Sequence, residues 1–444
     1  MSPMTRTLSD WLAHIERIHP KSIDMGLDRI REVAQRLRLK RPAKKVITVG
    51  GTNGKGSTVA FIEAIARAAG WKVGAYTSPH LLQYNERVRI DGTDAGDADL
   101  IAAFEAIEAA RVLRRAQDDR EVALTYFEYG TLAALWLFER AGLDLAILEV
   151  GLGGRLDATN LVDADVAVIT TVDLDHQDYL GDDREAIGAE KAGIARAWKP
   201  LVVGDDLPPS SVLGHAYRIG ASTWRIGSDF FFEKLPAIAA DGDAPPPHWR
   251  WREVGYRLDL PMPRLTAPVQ LRNAAVAIAA LRALGRPPRP LPKAAIAEGV
   301  GQALVRGRLQ RFERGGVEIV IDVAHNPQAA GSLAAWLAAE PANGTVHAVY
   351  AALADKDVTG VVQALASCVG QWHLAGLAET GPRGGSVQAL AQRLAGTPAA
   401  DGFRHEQVLP ALEAALQKAR PGDRILVFGS FHTAAAAIDW LAQD

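Results

Sequence analysis

The β-branched run Val46-Ile47-Thr48-Val49 leads into Gly51-Thr52-Asn53-Gly54-Lys55-Gly56-Ser57-Thr58, and an alanine-rich segment, Val59 to Ala69, follows with helical spacing. A strand, a glycine-rich turn and a helix start, in that order, are the local context that a phosphate-binding loop requires. Glycine lets backbone N–H groups come close to phosphate oxygens, and the helix N-terminus adds its partial positive charge. Lys55 would reach the outer phosphates, and Ser57 or Thr58 would face a magnesium ion. The spacing departs from G-x-x-x-x-G-K-[ST]: Val49 stands where the first glycine belongs, and Gly56 separates the lysine from the hydroxyl. An ordinary glycine turn is the competing reading. The strand and helix on either side favour the phosphate loop.

The pattern around this loop is that of an α/β protein. Thr7 to Leu39 reads as two short helices broken at His19-Pro20, and Lys72 to Tyr76 as a second strand. Thr77-Ser78-Pro79-His80-Leu81 then leaves that strand as a loop, since proline cannot continue the ladder. Asp99 to Arg115 and Tyr129 to Ala141 have helical patterns. Leu145 to Val150 is a buried-strand pattern with one carboxylate, Glu149, near its carboxyl end, and Gly151-Leu152-Gly153-Gly154 follows as a second glycine-rich turn. Val166 to Val172 is another apolar strand, ending in Asp173-Leu174-Asp175-His176. Near-continuous apolar strands alternating with helices indicate a parallel sheet covered on both faces, with ligands beyond the carboxyl ends of the strands. Lys55, Glu149 and His176 all fall at that edge.

Leu201 to Gly204 adds a strand, and the proline-rich stretch Pro208 to Pro268 reads as antiparallel or irregular structure. A helix from Ala274 to Leu284 and another from about Lys293 lead to a domain boundary near residue 300. The expected division is therefore 1–299 and 300–444. In the second part the alternation restarts: a strand Val317 to Val323, then Ala324-His325-Asn326-Pro327, and a helix Gln328 to Ala338. A strand Val346 to Tyr350, a helix Val358 to Cys368, a short strand at Leu374 and a last one at Ile425 to Phe428 complete a smaller α/β domain without a phosphate loop of its own.

The net charge of −3 lacks the basic excess that non-specific nucleic-acid binding requires. The single cysteine, Cys368, excludes an intramolecular disulfide and any multi-cysteine metal site. No uncharged apolar run approaches the ~18 residues of a membrane span, so the expectation is a cytoplasmic monomer without nucleic-acid or membrane partners. Glu149, in an apolar strand, either pairs with a surface lysine or serves as a magnesium ligand, because a carboxylate there is costly unless paired. His176 reads equally as a core histidine, and Lys191 by itself as a solvated helix lysine. Thr125-Tyr126-Phe127-Glu128 offers aromatic faces for a flat heterocycle or simply core packing. Asp322 and His325 lie at a strand end as ligand contacts or, with Asn326, as a helix cap.

Taken together, several segments resemble the folylpolyglutamate synthase/dihydrofolate synthase family of the Mur-type ATP-dependent amide ligases. They are Gly51 to Ser57, Ser78-Pro79-His80, Leu124 to Glu128, Leu148 to Asn160, Asp175-His176, Glu190-Lys191-Ala192-Gly193-Ile194 and Asp322 to Pro327. The resemblance implies a Mur-ligase-like phosphate-loop ATPase domain with a parallel sheet and a smaller Rossmann-like carboxyl-terminal domain for glutamate ligation. It implies that Asn53, Gly54, Lys55, Gly56 and Ser57 hold the ATP phosphates, with Asn273, Arg308, Asp322 and His325 as further ATP contacts. Ser78, Glu149, His176 and Lys191 would serve two Mg²⁺ ions, Lys191 as a carbamate. Lys55, His176 and Lys191 would form the catalytic set. Thr125, Tyr126, Phe127 and Glu128, with Leu156, Asp157 and Ala158, would line the pterin site. One departure is Arg306-Gly307-Arg308, where the family often has proline-glycine-arginine.

The implied reaction joins L-glutamate to dihydropteroate, and then to tetrahydrofolate, through an acyl phosphate, with the smaller domain closing over the site. A Mur-type ligase of cell-wall synthesis and a nucleotide-binding kinase or switch are the rival readings. The aromatic residues at Tyr126 and Phe127 and the lysine-glycine-serine loop argue against the first.

Overall fold

Valine and isoleucine suit a strand that is packed on both faces, and from Val46 to Gly50 every residue of the first strand, β1 (Ala43–Gly50), is buried. In chain order it is followed by β2 (Val73–Tyr76), β3 (Val88–Ile90), β4 (Thr93–Asp94), β5 (Leu143–Glu149), β6 (Val166–Ile169), β7 (Pro200–Val203) and β8 (Ser222–Arg225). These strands form one sheet in the order β4-β3-β2-β5-β1-β6-β7-β8. It is antiparallel where β3 meets β2 and β4, and parallel elsewhere. Ala146 and Leu148 join a core with the helices Asp97–Arg111 and Tyr126–Ala141, while Leu145 and Ile147, on the opposite face, are buried too. The computed structural model describes residues 6–21, 23–112, 121–236, 248–381 and 383–443.

The register decides where the chemistry sits. Val49 of β1 pairs with Glu149 of β5, and Gly50 with Ile169 of β6, so three strands end level with one another. From β1 the chain first builds outward through β2 and only later returns to lay β6 on the other side. That reversal leaves a crevice at the carboxyl end of β1.

Several boundaries differ from the expectation. The strand expected to Val172 stops at Ile169, because Thr170 and Thr171 bond to the glycine loop instead of a neighbouring strand. The helix expected from Tyr129 starts at Tyr126, where Thr125 and Glu128 form a capping box. The helix expected from Asp99 to Arg115 runs Asp97–Arg111, and residues 113–120 lie outside the described ones. Within Pro208 to Pro268 there is a helix, Ser210–Ile219, before β8 joins the parallel sheet. An antiparallel sheet of β9 (Phe230–Lys234), β10 (His248–Glu253) and β11 (Tyr256–Pro261) follows, with residues 237–247 outside the described part. Cys368 lies beyond its helix, which ends at Leu365.

By its contacts the chain divides into one unit of Met1–Arg264 with Leu271–Leu304 and another of Leu265–Gln270 with Val305–Asp444. The second unit contains β12 (Gln310–Arg314), β13 (Val317–Ile321), β14 (Val346–Tyr350), β15 (Gln371–Ala375), β16 (Phe403–His405) and β17 (Arg424–Phe428). Their order is β12-β13-β17-β14-β15-β16, parallel except for the β12/β13 pair. No helix among the described residues is long and apolar enough to cross a membrane.

One face of this second sheet carries three histidines on adjacent strands. The ring centroids of His347 and His373 are 6.0 Å apart, and those of His373 and His405 5.7 Å. His373 is fully buried, and neither of its ring nitrogens has a hydrogen-bond partner. Burial, reinforced by His405, His347 and Lys418, pushes its pKa down from 6.5 to about 4. The one carboxylate of the group, Asp423, bonds to His347. The unfolded chain therefore takes up a proton near pH 6.5 that the folded chain refuses until about pH 4. Stability is lost as the pH falls through that window, about tenfold in the unfolding equilibrium per pH unit. Urea midpoints measured from pH 7 to pH 4.5 should fall more steeply for the natural chain than for His373→Leu, and equal slopes would refute this.

Candidate active site

The glycine loop takes its shape from contacts on both sides. Gly51 has φ +142°, and a Cβ built there would stand 1.9 Å from Thr170 Oγ1; Gly54 has φ +87°, and its Cβ would meet Asn273 Oδ1 at 2.6 Å. Only glycine fits either position. Thr170 Oγ1 donates to the Asn53 carbonyl at 2.6 Å, and the Asn53 N–H donates to Thr171 Oγ1 at 3.1 Å. The Thr52 N–H donates to the Thr171 carbonyl at 2.8 Å. Lys55 opens the helix Lys55–Ala68, whose first turn has no side-chain cap. Its Nζ lies back over the loop, donating to the carbonyls of Gly51 at 3.0 Å and Thr52 at 3.1 Å. Gly56 and Ser57 form the first helical turn, and Ser57 is buried.

Glu149, at the end of β5, is buried to 5% exposure. Its Oε2 accepts from the Ser78 N–H at 3.2 Å, and its Oε1 lies 3.7 Å from where a Cβ on Gly56 would stand. The carboxylate therefore borders both the Ser78 loop and the first turn after Lys55. Lys191, in the helix Arg184–Ala192, is 4% exposed. Burial, then the Lys55 ammonium, brings its pKa down from 10.5 to about 7, opposed by Asp175 and Asp157. His176 has a left-handed backbone (φ +52°) before the helix Gln177–Leu180, and its Nε2 lies 3.9 Å from Asp175 Oδ1. Asp175 thus connects the histidine with the buried lysine. Only its place beside His176 in the sequence hinted at that.

Among the described residues, no three His, Cys, Asp or Glu side chains gather into a self-sufficient metal site. The donors at this edge are the Glu149 and Asp175 carboxylates, the His176 imidazole and Ser78, with the buried Lys191 beside them. That set fits Mg²⁺, which takes one or two carboxylates and fills its remaining positions with water and phosphate oxygens.

An aromatic wall stands against the second glycine turn. Thr125 and Glu128 take part in it through the cap: the Thr125 N–H donates to Glu128 Oε2 at 2.8 Å, and the Glu128 N–H to Thr125 Oγ1 at 3.2 Å. Tyr126 and Phe127 are half-buried at the start of the same helix. Leu156 is half-buried, and Asp157 and Ala158 are buried. The Asp157 carboxylate accepts from the N–H groups of Gly151 (3.0 Å), Leu152 (2.9 Å) and Thr159 (2.9 Å) and from Thr159 Oγ1 (2.6 Å). It braces the second glycine turn, which sequence spacing did not reveal. Arg87 also escaped the sequence reading. It is 9% exposed, donates to His80 Nδ1 at 2.8 Å, and lies over the rings of Tyr84 and Tyr126.

In the second unit, Arg308 and His325 meet at Phe431, just beyond β13 and β17, and Asp322 feels the charge of both. The Arg308 guanidinium is 5.6 Å from the Phe431 ring and the His325 ring 6.4 Å. Asp322 accepts from the N–H groups of Leu309 at 3.0 Å and Ala324 at 2.9 Å. Burial pushes its pKa up against the opposing effect of Arg308. Asn326, not Asp322, caps the helix Pro327–Ala339, accepting from the Ala329 N–H at 2.9 Å.

A glycine-rich loop and a buried carboxylate at the switch point of one mostly parallel sheet, with a second mostly parallel α/β unit, are the frame on which two models of the Mur-type ligases match this chain. The Mur ligase middle-domain model matches residues 49–229, and the Mur ligase glutamate ligase domain matches residues 307–431. The dihydrofolate synthase/folylpolyglutamate synthase of Escherichia coli K12 is 44% identical over 433 residues, covering 97% of this chain and 95% of that protein. Its counterpart in Haemophilus influenzae is 40% identical over 450 residues, covering 97% of each. Among solved structures, E. coli FolC in complex with DHPP and ADP superposes with a TM-score of 0.88 at 44% identity, covering 99% of this chain and 98% of the other. A bifunctional folylpolyglutamate synthase/dihydrofolate synthase with Mn, AMPPNP and L-glutamate bound gives 0.86 at 42% identity, with the same coverage. The chain belongs to the dihydrofolate synthase/folylpolyglutamate synthase family.

Proposed function

We propose that this enzyme uses ATP to join L-glutamate to dihydropteroate, giving dihydrofolate, and to tetrahydrofolate, giving polyglutamates. The observation that carries the reading is the meeting, at the carboxyl edge of one sheet, of the Lys55 loop, the Glu149 carboxylate and the buried Lys191. The substrate carboxylate attacks the γ-phosphorus of ATP, forming an acyl phosphate and ADP. The neutral α-amine of glutamate then attacks the acyl carbon, and phosphate leaves.

In this reading the backbone of Asn53 to Ser57 cradles the phosphates and Lys55 turns outward to neutralise charge on the transferred group. Asn273, Arg308, Asp322 and His325 are further ATP contacts. Ser78, Glu149, His176 and carbamylated Lys191 would hold two Mg²⁺ ions, which would supply charge screening to the phosphates. A neutral Lys191 amine adds to CO₂, forming the N–C bond and releasing one proton, and a buried cation becomes an oxygen donor. Tyr126 and Phe127 face the pteridine, with Thr125, Glu128, Leu156, Asp157 and Ala158 shaping the wall. Residues 1–299 form the ATP- and folate-binding part and 300–444 the glutamate-ligase part. We place the enzyme in the cytoplasm, a reading supported by its dependence on ATP, and take it to be a monomer.

Purified enzyme with ATP, Mg²⁺ and labelled glutamate should transfer label to dihydropteroate and to tetrahydrofolate. Label on neither acceptor would refute the reading. A nucleotide-linked wall precursor taking the label would favour a wall ligase, and ATP turnover independent of glutamate a kinase or switch.

A further inference from the structure

Gly151 opens the second glycine turn without needing a positive φ, so backbone freedom does not explain a glycine there. Space does. A Cβ at Gly151 would stand 2.6 Å from Phe127 Cζ, 2.9 Å from Cε2 and 3.0 Å from Cε1, all below normal contact. The distal end of the Phe127 ring stands against Gly151. Tyr76 flanks the ring as well, with centroids 5.8 Å apart and planes inclined by 34°. Tyr76 is itself fully buried, and its hydroxyl accepts from Thr131 Oγ1 at 3.2 Å, so it offers no room for the ring to retreat. Gly151 in turn is fixed by its N–H bond to Asp157 Oδ2 at 3.0 Å.

We propose that Gly151 is a positioning residue for the acceptor: its missing side chain sets the Phe127 ring in the one orientation that presents a flat face to the pteridine. This rests on the assignment of Phe127 to the pterin wall. A methyl group at residue 151 forces the ring, which also packs on Tyr76, out of this position. The glycine two residues after Glu149 thereby ties the acceptor wall to the strand that ends beside the phosphate loop, without touching nucleotide or pterin itself.

The test is a double-mutant cycle of Gly151→Ala and Phe127→Leu, followed by steady-state kinetics and thermal melting. Gly151→Ala alone should raise KM for dihydropteroate about tenfold, the scale expected when a contact group is misplaced by part of an ångström, with KM for ATP changed less than about twofold. In the Phe127→Leu background, where no ring stands in the way, the same alanine should leave both KM values and the melting temperature nearly unchanged. An equal penalty in both backgrounds, or a parallel rise in KM for ATP, would overturn the proposal. If Gly151→Ala alone fails to fold, restoration of folding by Phe127→Leu supports it, and failure of the double variant overturns it. Natural enzyme that accepts no pterin would instead overturn the functional reading, and this inference with it. A melting-temperature cycle that still showed coupling would identify the assignment of the wall, not the steric contact, as the error.

Discussion

Lys191→Ala is expected to lower kcat by about 10²–10³-fold, the scale seen when one electrostatic group is removed from a transition state. Short carboxylic acids such as acetate should restore part of the loss. An ordinary lysine at pH 7 is neutral in roughly one molecule in three thousand, too few to hold a carbamate. Lys191 is 4% exposed and shares its surroundings with Lys55, so its pKa falls to about 7 and half the amines are neutral at that pH. Raising the pH through 7 increases the neutral fraction, so at a fixed concentration of dissolved CO₂ the carbamate should form faster at pH 8 than at pH 6. An added carboxylate can occupy the space left in the alanine variant and return the missing oxygens. Turnover that is unchanged in Lys191→Ala would remove the carbamate from the mechanism. Loss of activity with no response to any short acid would leave the lysine important only as a cation.

Glu149→Gln should cost at least about a hundredfold in kcat and raise the Mg²⁺ concentration needed for half-maximal activity. The amide keeps the size of the side chain and can still accept from the Ser78 N–H, so the change removes mainly the charge. Because the amide keeps the shape and the Ser78 hydrogen bond, the metal-free Glu149→Gln protein should melt close to the temperature of the natural enzyme, while its activity falls. Lost activity together with a lowered melting temperature would instead mark Glu149 as part of the fold. If amide product still formed at the natural rate and only nucleotide binding weakened, a kinase or switch would be the better reading.

Much of this was legible in the chain because it is local. The phosphate loop is announced by residues that must be consecutive: apolar β-branched strand, glycines, lysine, helix. Val46 to Gly50 and Leu145 to Glu149 have no polar face because both of their faces are covered, and that alone calls for a parallel sheet. The helix caps were harder to recognise. Thr125 and Glu128 stand three residues apart, a capping-box spacing, yet among aromatic neighbours they read as part of a binding wall.

What the sequence determined by itself was the alternation of the central strands with helices, the loop at Gly51 to Ser57, and, through motif resemblance, the family. What only the tertiary structure decided was which distant side chains share an environment. Lys191 looks like a solvated helix lysine until its helix is packed against the sheet, and only that burial beside Lys55 lowers its pKa. Arg87 against His80 and Tyr126, and Phe127 against Gly151, are likewise contacts between segments with no shared periodicity. Local pattern encodes backbone conformation, whereas desolvation and steric contact depend on what other parts of the chain bring to the same place.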